Sequence, residues 1–568
     1  MSFPLTPILK PKPSPKFQVL DIETMNWTKF IVLGYFDGTN YLEFRKLKEF
    51  VNFIKTKPEQ NIFAHFGGKF DLLFIFEELL KHDVKISNII PRGSSILGLE
   101  FTYKENKVNL RDSAALLPFS LKSLAENFGA QTQKKEWDHS KTKGYSKELS
   151  EYLKADCLAL YQCIEKFYDW PLIKASGPAY TTASQAMKVF RTFLKEPIQS
   201  FTNNMAEDMR PAYLGGRTEI FKPFYQGGKL YEYDVNSLYP YVMVANAYPI
   251  DRGYDTFTRR RDCLGVFRAR VVVPSELHIP CLGIVRDNKY IFPSGEFEGQ
   301  WCGVELDYAE SLGYKIQILD GTEFKTKKLI FKEYVEALYN IRETSPKNSV
   351  SNVLAKLLMN SLYGRFGMNM QRENIGFELK EGVDEWRTVK IKNKNVLLFR
   401  EPVTLNSFNH VGIAAHVTAY ARIHMHKLMM KHPHELYYTD TDSLFTTAEM
   451  PTGKALGELK LEHVYESACF LLPKTYIATS ATKKKIAMKG FDRKKIQDFT
   501  FEDFTRAFEG DLKRLKTESE PKFASIKTAL AQNKLVTMTK GSTKQLRALY
   551  TKRIILPNGE TKPITLKE

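Results

Sequence analysis

Apolar positions recur along the chain with two periods, and they divide it into strands and helices of an α/β protein. Phe17 opens the run FQVLDIET, a buried-strand pattern that ends in acidic residues, and IVLGYF from Ile31 reads as its neighbour. Spacings of three and four predict helices over 70–81 and 146–167, so residues 1 to about 170 form one α/β unit. The small and polar stretch SGPAYTTASQ, from Ser176, is the expected join to the next unit. Beyond it a strand ends at Asp234, short strands with glycine turns fill 251–328, and a helical pair covers 331–366. A charged strand-like insertion occupies 369–408, with EGVD as its turn. A helix over 412–430 and a hairpin over 438–445 come next, and the last seventy residues are basic. No repeat of solenoid length is visible.

Length and charge narrow the function classes. At 568 residues the chain exceeds one hydrophobic core, and 43% hydrophobic with 26% charged residues is the composition of a folded protein. Lys and Arg number 83 against 65 Asp and Glu, a net charge of +18 that favours a polyanionic partner. The absence of any run of 18 apolar residues argues against a spanning helix, and the proline-rich start does not resemble a signal peptide. Six scattered cysteines without a CxxC pair suggest a reducing compartment. Neither a GxxxxGK[ST] loop nor a GxGxxG turn is present, so nucleotides would be held without those phosphate cradles.

Two carboxylate sets carry candidate chemistry. Asp234 opens DVNSLYP, and Asp440 and Asp442 stand in YYTDTDSLF. On an extended strand the DTD spacing puts both carboxylates on one face. If the Asp234 strand lies beside that hairpin, Asp234 and Asp442 can clamp two Mg²⁺ about 4 Å apart for phosphoryl transfer. A bare DTD is more often a surface turn. In KLLMNSLYG, Lys356, Asn360 and Tyr363 fall on one helix face, where the lysine can hold a triphosphate and the tyrosine a base pair. An amphipathic helix with a snorkelling lysine is the plainer reading. Upstream, Asp21 and Glu23 share a strand face, Asp71 closes HFGGKFD, and Tyr152 and Asp156 form YxxxD. Together they make a second two-metal constellation, suited to hydrolysing a phosphodiester.

In order, DVNSLYP, KLLMNSLYG and YTDTDS resemble motifs A, B and C of family B DNA polymerases, and the upstream set resembles the three 3′–5′ exonuclease motifs of DEDDy proofreading domains. The resemblance implies metal binding by Asp234, Val235 and Asp442, with Asp440 in support. It implies nucleotide binding by Tyr239, which would exclude ribonucleotides, and by Lys356, Asn360 and Tyr363. LPKTYI matches the KxY motif, so Lys474 and Tyr476 would hold the primer terminus. In the exonuclease, Asp21, Glu23 and Asp156 would hold metal, with Asp71 and Tyr152 catalytic. Thr24, Phe70 and Ser113 match positions that contact single-stranded DNA, and Lys134 or Lys135 matches an active-site lysine. Where the second exonuclease motif usually carries Asn, this chain has Phe66, read either as a base-stacking residue or as core.

Two insertions in these places resemble the protein-primed branch of the family, found in small linear-genome phages, adenoviruses and linear plasmids. So does YLGGR, with Tyr213, Gly215 and Gly216, whose glycines would let backbone approach the template. The first exonuclease motif begins at residue 21, which leaves no room before it for the N-terminal domain of cellular replicases. The implied fold is multidomain α/β: an RNase H-like exonuclease (1–170), then a right-hand polymerase. Its parts are palm (171–254 and 412–497), insertion 1 (255–328), fingers (329–368), insertion 2 (369–411) and thumb (498–568). Implied partners are template-primer DNA, dNTPs and a priming terminal protein, which insertion 1 would contact. Insertion 2 would encircle the downstream duplex. Mg²⁺, replaceable by Mn²⁺, would serve as two ions per site, in a monomer working without a membrane and, if it comes from a phage, in the host cytoplasm. A primer-independent replicase and an exonuclease with an inactive polymerase module are the alternatives.

Overall fold

The computed structural model describes residues 4–92, 95–139, 142–201, 203–368, 373–378, 383, 386–391, 394–400, 409–512, 515–519, 521–532, 535–546 and 550–567. Three sheets organise them. The N-terminal sheet has ten strands, and its middle holds Gln18–Met25, Gln60–Ala64 and Asn106–Asp112, paired in parallel. Gln18–Met25 is buried at all but Asp21 and Met25, because the sheet is covered on both faces and alternation is lost. The helices foreseen over 70–81 and 146–167 are Asp71–Leu79 and Lys147–Asp169. Ser146 starts the second by accepting from the Leu149 N–H.

The charged segment over 369–408 forms three of those ten strands. Glu373–Gly376, Lys394–Arg400 and Trp386–Ile391 extend the N-terminal sheet from Lys85–Arg92, with Ile375 opposite Ile89. Apart from Val383, the expected EGVD turn lies outside the described residues.

The second sheet has seven strands in the order Lys484–Met488, Thr475–Thr479, Leu459–Leu472, Phe224–Val235, Ser443–Thr446, Leu436–Asp440 and Thr218–Ile220. Helix Val411–Met429 is buried along most of its length. Helices Lys332–Thr344 and Val350–Ser361 pack as a pair, and Tyr363–Phe366 adds one short turn. Residues over 251–328 supply four strands of a separate five-stranded sheet, with helix Gly303–Ser311. Among the described residues no helix is long and apolar enough to cross a membrane.

The join expected from Ser176 is not an exposed linker. Gln185 is fully buried, donating to Ser176 Oγ (3.0 Å) and the Gly177 carbonyl (3.0 Å) and accepting from the Ala179 N–H (2.7 Å). Nor does 498–568 stay one unit. Tyr550 is tied to the seven-stranded sheet, its hydroxyl oxygen accepting from the Ile220 N–H at 3.1 Å. Thr565–Lys567 pairs with Ser294–Cys302 of the five-stranded sheet. Buried Arg553, bonded to Thr561 and to the His278 carbonyl, holds this last segment in place.

Candidate active sites

The first site sits where strand Phe224–Val235 meets the hairpin of Leu436–Asp440 and Ser443–Thr446. Asp234 lies opposite Ser443, and the Val235 N–H donates to the Asp442 carbonyl at 2.8 Å. The two aspartates are therefore brought together by ladder register. Strand alternation is not what places Asp440 and Asp442. Asp440 pairs with Ser443, leaving Thr441 and Asp442 as a tight turn with Thr441 at φ +64°. The expectation of one shared strand face is corrected on that ground, although all three aspartates line one cavity of about 780 Å³.

Charge in that cavity is unbalanced. Asp234 is pushed up to about 7, first by burial and then by Asp442, Glu462 and Glu232. Asp442 is raised by burial, with Asp440 adding to the effect. Asp440 is engaged elsewhere, since Lys474 Nζ donates to its two oxygens at 2.8 and 3.1 Å and Thr218 Oγ1 donates at 3.1 Å. Among the described residues no three His, Cys, Asp or Glu side chains converge as a ready-made ion cage. Mg²⁺ does not require one, because it keeps waters and takes substrate phosphate oxygens beside one or two carboxylates. Two hard-oxygen donors with surplus negative charge fit that description.

The other residues expected here fall around this floor. Tyr239 and Tyr363 stack on one another at 4.6 Å between centroids and 15° between planes. Lys356 and Asn360 share the exposed stripe of helix Val350–Ser361, while Tyr363 begins the next short helix. Lys474 is held by Asp440, and Tyr476 is buried against Tyr438, Phe445 and Phe470. Glu232, Glu462, Lys485 and Gln497 also line the cavity and belong to no motif.

YLGGR serves the turn itself. A Cβ on Gly216 would lie 2.8 Å from Thr441 Cγ2, whereas one on Gly215 would meet nothing within 4 Å. The Thr441 N–H donates to the Arg217 carbonyl at 2.8 Å. The missing side chain at Gly216 thus admits the aspartate turn, a role the glycine pair alone did not suggest. Arg422, from helix Val411–Met429, donates to the Gly215 carbonyl (3.2 Å) and bonds that of Leu214. Glu305 holds its other nitrogens at 2.8 and 3.0 Å, with both side chains buried. Neither residue has a sequence signal, because a lone Arg in a helix and a lone Glu in another look like surface charges. Tyr213 lies beside Gly367, where a Cβ would collide with its ring.

The second cavity, also about 780 Å³, lies on the N-terminal sheet and is lined by Asp21, Glu23, Thr24, Phe66, Phe70, Asp71, Lys134, Tyr152 and Asp156. Asp71 starts its helix after a glycine pair whose missing side chains let the chain turn inward. A Cβ on Gly68 would collide with the Ile96 carbonyl oxygen. Burial raises Asp21, with Asp71, Glu23 and Asp156 adding to it, and pushes Asp71 up to about 8. Oδ1 of Asp71 and Oδ1 of Asp156 are buried with no hydrogen-bond partner. Such orphaned acceptors fit a cation.

Lys134 is the lysine of this site. Its Nζ donates to the Tyr152 hydroxyl at 2.7 Å and pairs with Asp156. Phe66 is 53% exposed at φ +57°, so it is not core; it stands on the cavity rim. Ser113 is not on the cavity. It is fully buried, donating to the Ala64 carbonyl (3.2 Å) and bonded to His65 Nδ1 (2.9 Å), which corrects its reading as a DNA contact. Trp27, Asp112, His139 and Phe523 also line it without having been foreseen. Phe523 comes from some 500 positions away and packs on Phe70 at 5.1 Å.

Comparison with known proteins agrees with this geometry. A family model described as DNA polymerase type B, organellar and viral, matches residues 52–151 and 144–432. A probable DNA polymerase of Neurospora intermedia is 27% identical over 542 residues, covering 80% of this chain and 53% of that protein. The DNA polymerase of Bacillus phage phi29 is 26% identical over 547 residues, covering 85% and 89%. The chain spans about half or less of the length of three of the fungal relatives it matches. Phi29 DNA polymerase, solved with primer-template DNA and incoming nucleotides, matches the fold with a TM-score of 0.75. That match is 22% identical and covers 94% of this chain and 100% of that one. With the family model matched over more than half its length, the chain belongs to the organellar and viral type B DNA polymerases.

Proposed function

We propose that the chain is a template-directed DNA polymerase with a 3′–5′ proofreading exonuclease, starting strands from the hydroxyl of a terminal protein. The observation that carries the polymerase reading is the register pairing that joins Asp234 to the Asp442 turn on the floor of an open, basic-walled cavity. Asp234, Asp442 and the Val235 carbonyl would hold Mg²⁺, which when bound lowers the pKa of the attacking hydroxyl and neutralises the triphosphate. Asp440 stays outside that set and fixes Lys474, which together with Tyr476 faces the primer end. Lys356 and Asn360 present a donor stripe to the triphosphate, and the Tyr239–Tyr363 stack offers a flat wall to base and sugar.

The exonuclease reading rests on the four carboxylates that share one cavity with Tyr152 and Lys134. Asp21, Glu23 and Asp156 would hold metal there. Lys134 offsets part of the negative charge and holds the Tyr152 hydroxyl in place. Phe66 and Phe70 offer rings against which bases of a single strand can stack, with Thr24 beside them in the lining.

Primer extension with Mg²⁺ and dNTPs tests the first reading. Asp442→Ala should abolish extension while degradation of single strands persists, and normal extension by that variant would sink the site. Priming is tested by incubating the enzyme with labelled dNTP, genome ends and a candidate small basic protein. Covalent labelling of that protein supports protein priming, while synthesis on a circular single strand without primer or protein favours the primer-independent alternative.

A further inference from the structure

Two exposed aromatic residues at the second cavity hold their backbone where such residues seldom stand. Among the described residues eleven that are not glycine have positive φ, and of these only Trp27 (+63°) and Phe66 (+57°) are aromatic. Both line the cavity of Asp21, Glu23, Asp71 and Asp156, and they are 44% and 53% exposed. Trp27 belongs to no exonuclease motif. It sits with Asn26 (φ +52°) in the turn between strand Gln18–Met25, which carries Asp21 and Glu23, and its neighbour Lys29–Phe36. The Thr28 N–H closes that turn on the Met25 carbonyl at 3.4 Å.

Neither feature serves the turn itself. A left-handed backbone crowds any Cβ, and tight hairpins with two such residues favour Asn and Gly. A bulky residue kept there, with its apolar face half in water, is the kind of strain that collects at ligand sites. Phe70 and Phe523 meet the indole edge-on at 6.3 and 6.2 Å. The His139 ring lies 5.1 Å from it, and His139 Nδ1 is 3.5 Å from Glu23 Oε2. Two short contacts thus separate the indole from the carboxylates of the site. Charge decides what it can hold. With Asp112 included, carboxylates outnumber the cations Lys69, Arg92 and Lys134 in the lining, and Lys134 is already paired with Asp156. A phosphodiester is repelled by such a surplus, whereas a neutral base brings a π face to an aromatic ring.

We propose that Trp27 is a stacking platform for a base near the 3′ end of the single strand, braced by Phe70 and Phe523. The inference deepens the exonuclease reading and rests on it. Trp27 binds the strand and takes no part in breaking the bond. Every base has a π face, so the grip is independent of sequence, as removal of any mismatched terminus requires.

The test uses the full chain and pentathymidylate as the single strand. Trp27→Gly should raise the KM for degradation about tenfold, the low end of what one base–aromatic stack is worth. Its kcat and its extension of primer-template should stay as in the wild type. Glycine takes a φ of +63° without strain, so thermal stability should not fall. Trp27→Phe should recover most of the affinity. With Ca²⁺ in place of Mg²⁺ to slow cleavage, pentathymidylate should quench the tryptophan emission of the wild type, and Trp27→Gly should lose that quench. An abasic residue at one of the last three positions should raise the wild-type KM by a like factor and leave that of Trp27→Gly unchanged. Trp27→Leu, which keeps apolar bulk without a π face, replaces Trp27→Gly if that variant does not fold. An unchanged KM in a folded variant would mean that the indole only braces Phe70 and Phe523. A fall in kcat alone would mean that it positions Glu23 through His139. Either result overturns the proposal. Wild-type protein that leaves single strands intact would instead defeat the exonuclease reading.

Discussion

Alanine at position 216 should damage the polymerase site without touching any residue that bears chemistry. The new Cβ would stand 2.8 Å from Thr441 Cγ2, 3.0 Å from its Cα and 3.1 Å from its Cβ. Ordinary carbon contacts begin near 3.5 Å, so one side must move by roughly half an ångström or more. Neither side is free. Thr441 sits at φ +64°, its N–H donates to the Arg217 carbonyl at 2.8 Å, and the following Asp442 carbonyl accepts from Val235 at 2.8 Å. Arg217 is fixed in turn by Glu219 and by the Pro280 carbonyl at 2.7 Å. The displacement therefore passes to Asp442. Overpacking of this kind costs about 1–3 kcal/mol of stability, and a shift approaching 1 Å at reacting groups costs about 100-fold in rate. Gly216→Ala should lower extension at saturating DNA and dNTP by about 10- to 100-fold, with single-strand degradation as an internal reference. Gly215→Ala, which meets nothing within 4 Å, separates packing from template contact. It should leave the rate alone, and a loss of DNA affinity there would assign that glycine to the template. Gly216→Ala that extends at the wild-type rate with unchanged thermal stability would refute the reasoning.

Three further outcomes are expected from the two sites. Arg422→Met should destabilise the protein by about 3–5 kcal/mol in denaturant unfolding, because it leaves Glu305 charged, buried and unpaired; the double change with Glu305→Gln should recover part of the loss. Asp234 and Asp71 are pushed up to about 7 and about 8, above their unfolded range near 4, so the metal-free protein should lose stability as pH rises through that window. Thermal unfolding from pH 5 to 8 should show a shallower fall in Asp71→Asn than in the wild type, and Mg²⁺ should stabilise more at the upper end; equal slopes would count against the assignment. Lys134→Met should suppress single-strand degradation and spare extension, since its partners Tyr152 and Asp156 both line the second cavity; equal loss of both activities would point to a folding defect.

Local pattern was enough for the elements and for most of each carboxylate set. Helix Lys147–Asp169 announces itself through Ser146 and its three- and four-residue spacing, and Asp21, Glu23, Asp71 and Asp156 meet because that helix packs in one core and helix Asp71–Leu79 in another, with strand Gln18–Met25 contributing to both. What the pattern could not supply was partnership between distant segments. The strands over 373–400 have the charge and alternation of a free-standing hairpin, yet they complete the N-terminal sheet through Ile375 and Ile89. Nothing local distinguishes an edge strand that pairs with its own hairpin from one that also finds a partner 286 positions earlier. Phe523 is the same case at the second cavity.

The residues missed at the polymerase site share one physical trait: each acts by holding another residue, not by chemistry of its own. A motif records the groups that must have a certain type to react, whereas Arg422, Glu305, Glu232 and Lys485 need only complementary charge at one point in space. Their pairings, Arg422 with Glu305 and Lys485 with Glu232, join residues 117 and 253 positions apart. Each burial would be costly for either partner alone. That cost is what makes them informative, because a lone buried charge would drive the local structure apart and only the folded site makes the pair tolerable. The DTD turn illustrates the converse. Its residue types were legible, but Asp442 takes its position from the Asp234 register and from Gly216, so the same tripeptide on another scaffold would bring no two carboxylates together. The candidate catalytic centre thus depends less on the aspartates themselves than on a loop that lacks a side chain and on an arginine that holds it.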